Sequence, residues 1–165
     1  MVFLSETKRS KLEMDSLLSE LGDFFGVFVD ARGRAGGLAL LWDKKVDLTL
    51  LSYSSNHIDS TVRWEGEDTV WPFDGIYRWP ESHLKWKMGQ LITELKSHSN
   101  LLWLVGGDLN EIFYHGEKLE GPPKCQTALD AFRDAFIGNN LHDLGFSGYE
   151  YTWCNYQRNG AIIEE

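Results

Sequence analysis

A mixed α/β fold with more strands than helices is the class the sequence predicts, on three observations. Short alternating apolar runs separated by compact turns crowd the stretch from Phe24 to Tyr77, the pattern of strands buried on one face. Three other stretches repeat apolar residues at helical spacing. A continuous apolar run, Leu101 to Val105, leads straight into Gly106-Gly107-Asp108, as a strand buried on both faces would. At 165 residues the chain has the length of one ordinary domain, with a core that needs no disulfide staples.

In order, Val2-Phe3-Leu4 is a short apolar run that ends at Glu6. Ser10-Lys11-Leu12-Glu13 reads as a capping box, in which the Ser10 hydroxyl accepts from the Glu13 amide and the Glu13 carboxylate reaches back. Met14, Leu17, Leu18 and Leu21 then form one helical face, and Gly22 stops the helix. Phe24 to Val29 reads as a strand, followed by a glycine-rich turn from Gly33 to Gly37, with Arg32 before it and Arg34 inside it. Leu38 to Trp42 has the look of a buried strand, and Asp43-Lys44-Lys45 of a turn. Val46 to Leu50 and His57 to Trp64 alternate, and Glu65 to Asp68 closes a hairpin before Val70 to Tyr77. Short turns between these four strands predict an antiparallel meander. Pro80 ends the region, and Ser82 caps a helix whose face is Leu84, Met88, Leu91, Ile92 and Leu95. A third helix is expected over Thr127 to Asn139 with Leu129, Phe132 and Phe136 inward, and a last strand over Tyr149 to Cys154. Repeats, low-complexity stretches and linkers are absent from the sequence, which predicts a single domain.

Composition narrows the functional classes. With 42% apolar residues, 13% aromatics and seven Trp, the chain is globular rather than disordered. The 16 Lys and Arg against 25 Asp and Glu give a net charge of −9, which argues against a surface that grips phosphate backbones broadly. Carboxylates that hold a cation, with the cation meeting the phosphate, remain compatible with it. Cys125 and Cys154 form no CxxC pair and no zinc-like spacing, and read as reduced intracellular thiols. No apolar run approaches the roughly 20 residues a bilayer requires. Glu6, Lys8 and Arg9 interrupt any signal-peptide core. The expectation is an intracellular protein, nuclear or cytoplasmic, with no membrane partner.

The sharpest local feature is Gly106-Gly107-Asp108-Leu109-Asn110-Glu111. Two glycines permit a tight turn after the strand, and in an extended loop Asp108 and Asn110 would face the same way. A carboxylate beside an amide suits activation of a water and orientation of a phosphate; the bland reading is an Asx turn that ends the strand. Glu6 follows the same logic, and if both strands are central the two acids sit at one sheet edge. Mg²⁺ typically takes one or two carboxylates plus waters and substrate phosphate. The bland reading of Glu6 is a solvated acid near a helix N-terminus. Tyr77, ending the meander, either reaches a phosphate oxygen or packs in the core with a wet hydroxyl. Five histidines show no ligand spacing, and Trp42, Trp103 and Trp153 read as core. Asp108, Glu111, Glu117 and Glu120 gather acidity in one stretch, compatible with a metal-mediated site.

Taken together, several motifs occur in a telling order: Phe3-Leu4-Ser5-Glu6-Thr7-Lys8, Gly36-Gly37-Leu38-Ala39-Leu40-Leu41-Trp42, Gly75-Ile76-Tyr77 before Pro80, and Gly107-Asp108-Leu109-Asn110-Glu111. Asp143-Leu144-Gly145-Phe146-Ser147-Gly148 and Tyr151-Thr152-Trp153-Cys154-Asn155 follow. Over nearly the whole chain the series resembles the endonuclease/exonuclease/phosphatase superfamily with the DNase I-like fold, and most the endonuclease domain of plant LINE-type (non-LTR) retroelements. The resemblance implies a four-layer α/β sandwich of two mixed sheets flanked by helices. It implies Mg²⁺- or Mn²⁺-dependent phosphodiester hydrolysis, with nucleic acid, DNA ahead of RNA, as substrate. By position it implies Glu6 as metal ligand, Asp108 as the group that positions or activates water, Asn110 as the phosphate-orienting amide, and Tyr77 beside the scissile phosphate.

Departures accompany the matches. The family opens with an Asn-bearing strand before the Glu-Thr-Lys strand, and closes with Arg-Leu-Asp and Ser-Asp-His motifs; none of these occurs in the sequence. Arg78 and Asp74 stand where plant relatives tend to have Gly and Thr. The resemblance therefore implies a partial domain over residues 1–165, lacking the first strand and the C-terminal strands, with open sheet edges and weak or lost catalysis. An inactive remnant or binding module of the same fold, or a phosphomonoesterase on it, are the alternatives.

Overall fold

A computed structural model describes residues 1–33, 35–77, 79, 86–156 and 162–164. The expected turn residue Arg34, the departure at Arg78, the stop at Pro80, the cap Ser82 and the helix-face residue Leu84 lie outside the described residues. The chain forms two compact units, one of Met1–Met88 and Glu94–Asn110, the other of Gly89–Thr93 and Glu111–Glu165.

The first unit is built on two sheets. Strands β1 (Val2–Ser5), β2 (Phe24–Arg32) and β3 (Ala35–Asp43) pair antiparallel in the order β1-β3-β2. Strands β4 (Val46–Tyr53), β5 (His57–Trp64), β6 (Trp71–Tyr77) and β7 (Leu104–Asp108) form the second, in that order, with only the β6–β7 pair parallel. That parallel pair spans the crossover that contains helix α2 (Trp86–Ser97), as parallel neighbours require. The meander expected over four strands is corrected here: β3 and β4 do not pair, because the Lys44-Lys45 turn carries the chain from one sheet to the other. Val46, at the far side of that turn, is already in the core between them.

Alternation explains the sandwich. Leu38 and Leu40 of β3 pack against Val46, Ile58, Val62, Phe73 and Tyr77 of the second sheet, with Phe3, Val27, Val29 and Leu104 joining from their strands. The opposite face of the first sheet, Phe28, Ala39 and Leu41, meets Met14 of helix α1 (Lys11–Leu21), with Leu18 beside it. The capping box forms as expected, since the Ser10 hydroxyl accepts from the Glu13 amide and Glu13 Oε2 accepts from the Ser10 amide at 2.8 Å. The predicted α1 face is narrower than its spacing suggests. Leu17 and Leu21 are exposed, and only Met14 and Leu18 of that face join the cluster with Phe28, Ala39 and Leu41.

Two further expectations are corrected. The strand after α2 runs Leu104–Asp108, not Leu101 to Val105, and is half-buried because it is the outermost strand of its sheet. Leu102, with no ladder and no covering layer, is 90% exposed. Likewise the last hairpin pairs β8 (Cys154–Tyr156) with β9 (Ile162–Glu164), so Tyr149 to Trp153 precede the strand, and Trp153 is exposed rather than core. In this second unit Leu119 pairs with Glu164 through both backbone groups. Helix α3 (Gln126–Gly138) buries Leu129, Phe132 and Phe136 as its period predicts, and the Phe113 ring meets Phe132 tilted at 4.9 Å and Phe136 edge-on at 5.0 Å.

One glycine sets the spacing of the sandwich. Gly75 has ordinary strand geometry, so its role is steric: a Cβ there would fall inside the ring of Phe3. Replacing Gly75 with Ala must therefore push β1 off β6. Gly75→Ala is expected to lower stability by about 1–3 kcal/mol, the usual cost of overpacking. Urea denaturation checks this, and an unchanged midpoint would show that the sheets have slack at Phe3.

Candidate functional site

The Phe3–Gly75 contact delivers the ends of two strands to the same place. Glu6 follows β1 immediately, and Tyr77 ends β6. The Tyr77 hydroxyl donates to Glu6 Oε1 at 2.6 Å. The tyrosine ring is part of the core, so both readings of this residue hold at once: a packed body and a polar tip that reaches the sheet edge. Asp108 is the register partner of Tyr77 across the parallel β6–β7 pair. The structure thus brings Glu6, Tyr77 and Asp108 to one end of the sandwich, though not as central strands of one sheet. Glu6 extends an outer strand of the first sheet, and Asp108 ends an outer strand of the second.

Glu6 is held in an unusual backbone state. Its φ is 53° and that of Lys8 is also 53°, the left-handed region that non-glycine residues seldom adopt. The segment is pinned there by hydrogen bonds from the Thr7 amide to the Gly37 carbonyl at 3.1 Å and from the Lys8 amide to the Gly36 carbonyl at 3.0 Å. Gly37 is required at this docking point, since a Cβ would strike the Thr7 hydroxyl oxygen. The Gly36-Gly37 motif thus acts on the site at one remove, as the floor on which the Glu6-Thr7-Lys8 loop rests. The Tyr77 hydroxyl, aided by the Lys8 ammonium 3.5 Å from Oε2, holds the Glu6 carboxyl below the usual carboxylate range.

Asp108 and Asn110 form a bent loop rather than an extended one. Asp108 Oδ1 accepts from the Asn110 amide at 2.9 Å, and Asn110 has φ 47°. This is the Asx turn that the spacing also allows, with Gly107 at φ 136° preceding it. A Cβ on Gly107 would meet the Ile76 carbonyl, so the close approach of β7 to β6 beside Tyr77 depends on this glycine. Of the other acids in this stretch, Glu111 pairs with Lys124 at 3.1 Å, and Glu117 accepts from the Phe113 amide at 2.8 Å. Those two carboxylates serve structure within the second unit.

Can these residues hold a divalent cation? Among the described residues no group of three or more His, Cys, Asp or Glu side chains is arranged for a metal. Mg²⁺ asks for less than that, often a single carboxylate with waters and substrate phosphate. The Glu6 side chain is 44% exposed, is kept ionised by its tyrosine partner, and is fixed in place, which suits that mode.

Sequence reasoning missed two features. Asn56, just before β5, is 6% exposed and bonds both backbone groups of Tyr77. The second feature is a buried polar cluster on the outer face of the second sheet. Asp59 and Asp74 are direct cross-strand partners, 3% and 1% exposed. Strand alternation puts both on a face that reads as solvated; instead the end of α2 and the following loop cover it. His98 Nδ1 and the Ser52 hydroxyl lie 3.2 Å from Asp59 Oδ2, and the Trp103 indole donates to Asp74 Oδ2 at 2.5 Å. Ser52 also meets the His57 ring at 3.0 Å. Burial, then the neighbouring Asp59 charge, pushes the Asp74 carboxyl up to about 7, against the indole bond. Asp74 Oδ1 is buried with no hydrogen-bond donor facing it, and a hydrogen bond with Asp59 adds to the rise.

With the geometry in place, the class is clear: two face-to-face sheets with helices outside, and strand ends converging at one edge, are the DNase I-like fold. Two solved structures carry that likeness. The endonuclease domain of TRAS1, a telomere-specific non-LTR retrotransposon, is 12% identical with a TM-score of 0.62, over 99% of this chain and 84% of that one. The catalytic domain of human Nocturnin with bound sulfate is 16% identical with a TM-score of 0.51, over 66% of this chain. The matched part spans 50% of the Nocturnin chain. No family model and no curated protein matches the sequence. Among the described residues no helix is long and apolar enough to cross a membrane.

The Asp59–Asp74 pair generates a pH prediction. A carboxyl whose folded pKa is raised to about 7 stabilises the fold fully below its unfolded value of roughly 4, and that contribution is lost as pH rises through 7. Asp74→Asn, which keeps the indole bond, should leave the protein more stable than wild type at pH 8 by up to ~4 kcal/mol, with the advantage shrinking toward pH 5. Burial holds the His57 imidazole below its ordinary value, which gives an opposite slope common to both proteins, so the difference between them isolates Asp74. Urea midpoints across pH 5–8 check this, and a constant difference would refute the raised pKa.

Proposed function

We propose that this chain is a metal-dependent phosphodiester hydrolase of the endonuclease type, of retroelement origin, acting on DNA in preference to RNA. The observation that carries the reading is the Tyr77–Glu6 hydrogen bond of 2.6 Å beside Asp108, at the strand-end edge of a DNase I-like sandwich. The resemblance of the motif series and the likeness to a retrotransposon endonuclease domain support it.

In this reading Glu6 holds Mg²⁺ or Mn²⁺, which when bound neutralises charge on the phosphate. Asp108 orients a water in line with the scissile bond and takes its proton as the water oxygen bonds to phosphorus; the bond to the leaving oxygen breaks, and that oxygen is protonated from solvent. Asn110 and Tyr77 donate to the non-bridging oxygens and hold the phosphate in place. The Tyr77 hydroxyl, given to Glu6 without substrate, is positioned to turn to a phosphate oxygen. No broad basic surface is needed, which agrees with the net charge of −9. Within these 165 residues no Ser-Asp-His motif supplies an imidazole for the transition-state charge. Turnover by this chain is therefore expected to be slow, since loss of one member of such a unit costs several orders of magnitude.

A non-catalytic module of the same fold is the second reading. It is favoured by Lys8, whose ammonium sits 3.5 Å from the carboxylate that would take the cation. Nicking of supercoiled plasmid with Mg²⁺ separates the two. The hydrolase reading expects a slow rate that Asp108→Ala reduces by about a hundredfold or to background; equal rates in the two proteins would leave only the binding module. Release of phosphate from a small monoester instead of plasmid nicking would move the activity to the phosphomonoesterase class.

A further inference from the structure

Tyr77 is the last residue of β6, and its partner on the β5 side is not a strand residue. The ladder ends at the His57–Ile76 pair, so the next step would match Asn56 with Tyr77. Half of that step is made in the ordinary way, as the Tyr77 amide donates to the Asn56 carbonyl at 2.8 Å. The other half is not. The Asn56 amide is turned away to the Ser54 hydroxyl at 3.1 Å, because the chain is already bending into the β4–β5 turn. In its place the Asn56 side-chain Nδ2 donates to the Tyr77 carbonyl at 2.9 Å. The side chain thus substitutes for a backbone donor and extends the sheet by one residue beyond the strand.

We propose that Asn56 is a positioning residue for the site, holding Tyr77 in the strand so that its hydroxyl meets Glu6 and the incoming phosphate. The inference deepens the hydrolase reading and, for its effect on turnover, rests on it. Three observations converge. Asn56 is 6% exposed, so its amide bonds without competition from water. Both hydrogen bonds go to one residue. That residue is held on its other side by Asp108 of β7, so Asn56 completes a two-sided clamp at the end of β6. Tyr77 is the last residue of β6, and without the clamp the last residue of a strand frays. A displacement of about 1 Å in a group that contacts the reacting phosphate is enough to cost on the order of a hundredfold in rate.

The test uses the full chain with Asn56→Ala, Asn56→Ser, Tyr77→Phe and the Asn56→Ala/Tyr77→Phe double variant, each checked for folding by near-UV circular dichroism. The first readout is independent of activity: the ¹³Cζ resonance of labelled Tyr77, which reports hydrogen bonding of its hydroxyl. Asn56→Ala should shift it toward the position of a solvated tyrosine, and Asn56→Ser, which retains a donor, should shift it less. An unmoved resonance in a folded Asn56→Ala protein overturns the proposal. The second readout is plasmid nicking. Asn56→Ala should lower kcat on the order of tenfold to a hundredfold with little change in KM, and the double variant should fall no further than Tyr77→Phe alone. Additive losses, or a kcat equal to wild type, overturn the role in turnover. If wild type itself fails to nick, the hydrolase reading falls, while the Tyr77 resonance still decides whether Asn56 positions the hydroxyl. Should Asn56→Ala not fold, Asn56→Ser supplies the same two readouts.

Discussion

The absence of a side chain at Gly75 is the constraint on which the rest of the structure hangs. Phe3 lies flat where a Cβ would be, and its ring is 6.4 Å from that of Phe73 in an edge-on arrangement. That contact fixes the gap between the sheets at the end of β1. Three residues on from Phe3 is Glu6, and two on from Gly75 is Tyr77, so the same contact decides whether the carboxylate and the hydroxyl can meet. The hydrogen bond between them closes the sandwich at that edge. Core packing and the candidate site are therefore one feature seen from two sides.

Around this point the backbone is held by several independent devices. The Glu6-Thr7-Lys8 loop is kept in left-handed geometry by the Gly36 and Gly37 carbonyls. Asn56 completes the ladder for Tyr77, and the Asx turn at Asp108 fixes the exit from β7. Strained or non-repeating backbone costs free energy unless its surroundings over-determine it. Among the described residues of the first unit, the non-glycine residues with positive φ, Glu6, Lys8 and Asn110, all lie just beyond two of these strand ends, which fits a site built to hold side chains still.

The fold was legible because its elements obey local rules. The capping box at Ser10, the helical period of Leu129, Phe132 and Phe136, and the strand over His57–Trp64 each follow from local pattern alone. The partition of strands between sheets was not legible. A two-residue turn between β3 and β4 looks the same whether the strands pair or part, and only the competition of β1 and β2 for both edges of β3 decides it. At the site, Glu6, Tyr77 and Asp108 were visible through the motif series, and the structure brings them together. Asn56 was invisible because its function depends on a backbone group that turns away. Asp59 and Asp74 were invisible because alternation assigns them to water, and the covering layer comes from residues some 25 to 40 positions distant, Trp103 and His98.

The hydrolase reading requires the Glu6–Tyr77–Asp108 edge to take a divalent cation. Titration of Mn²⁺ into the ¹⁵N-labelled protein tests it without reference to turnover, since the paramagnetic ion broadens the amides nearest to it. Broadening that begins at Glu6, Tyr77, Asp108 and Asn110, and is lost in Glu6→Gln, is the predicted result. Broadening centred on the acidic turn Glu65-Gly66-Glu67-Asp68, or unchanged by Glu6→Gln, would contradict that reading.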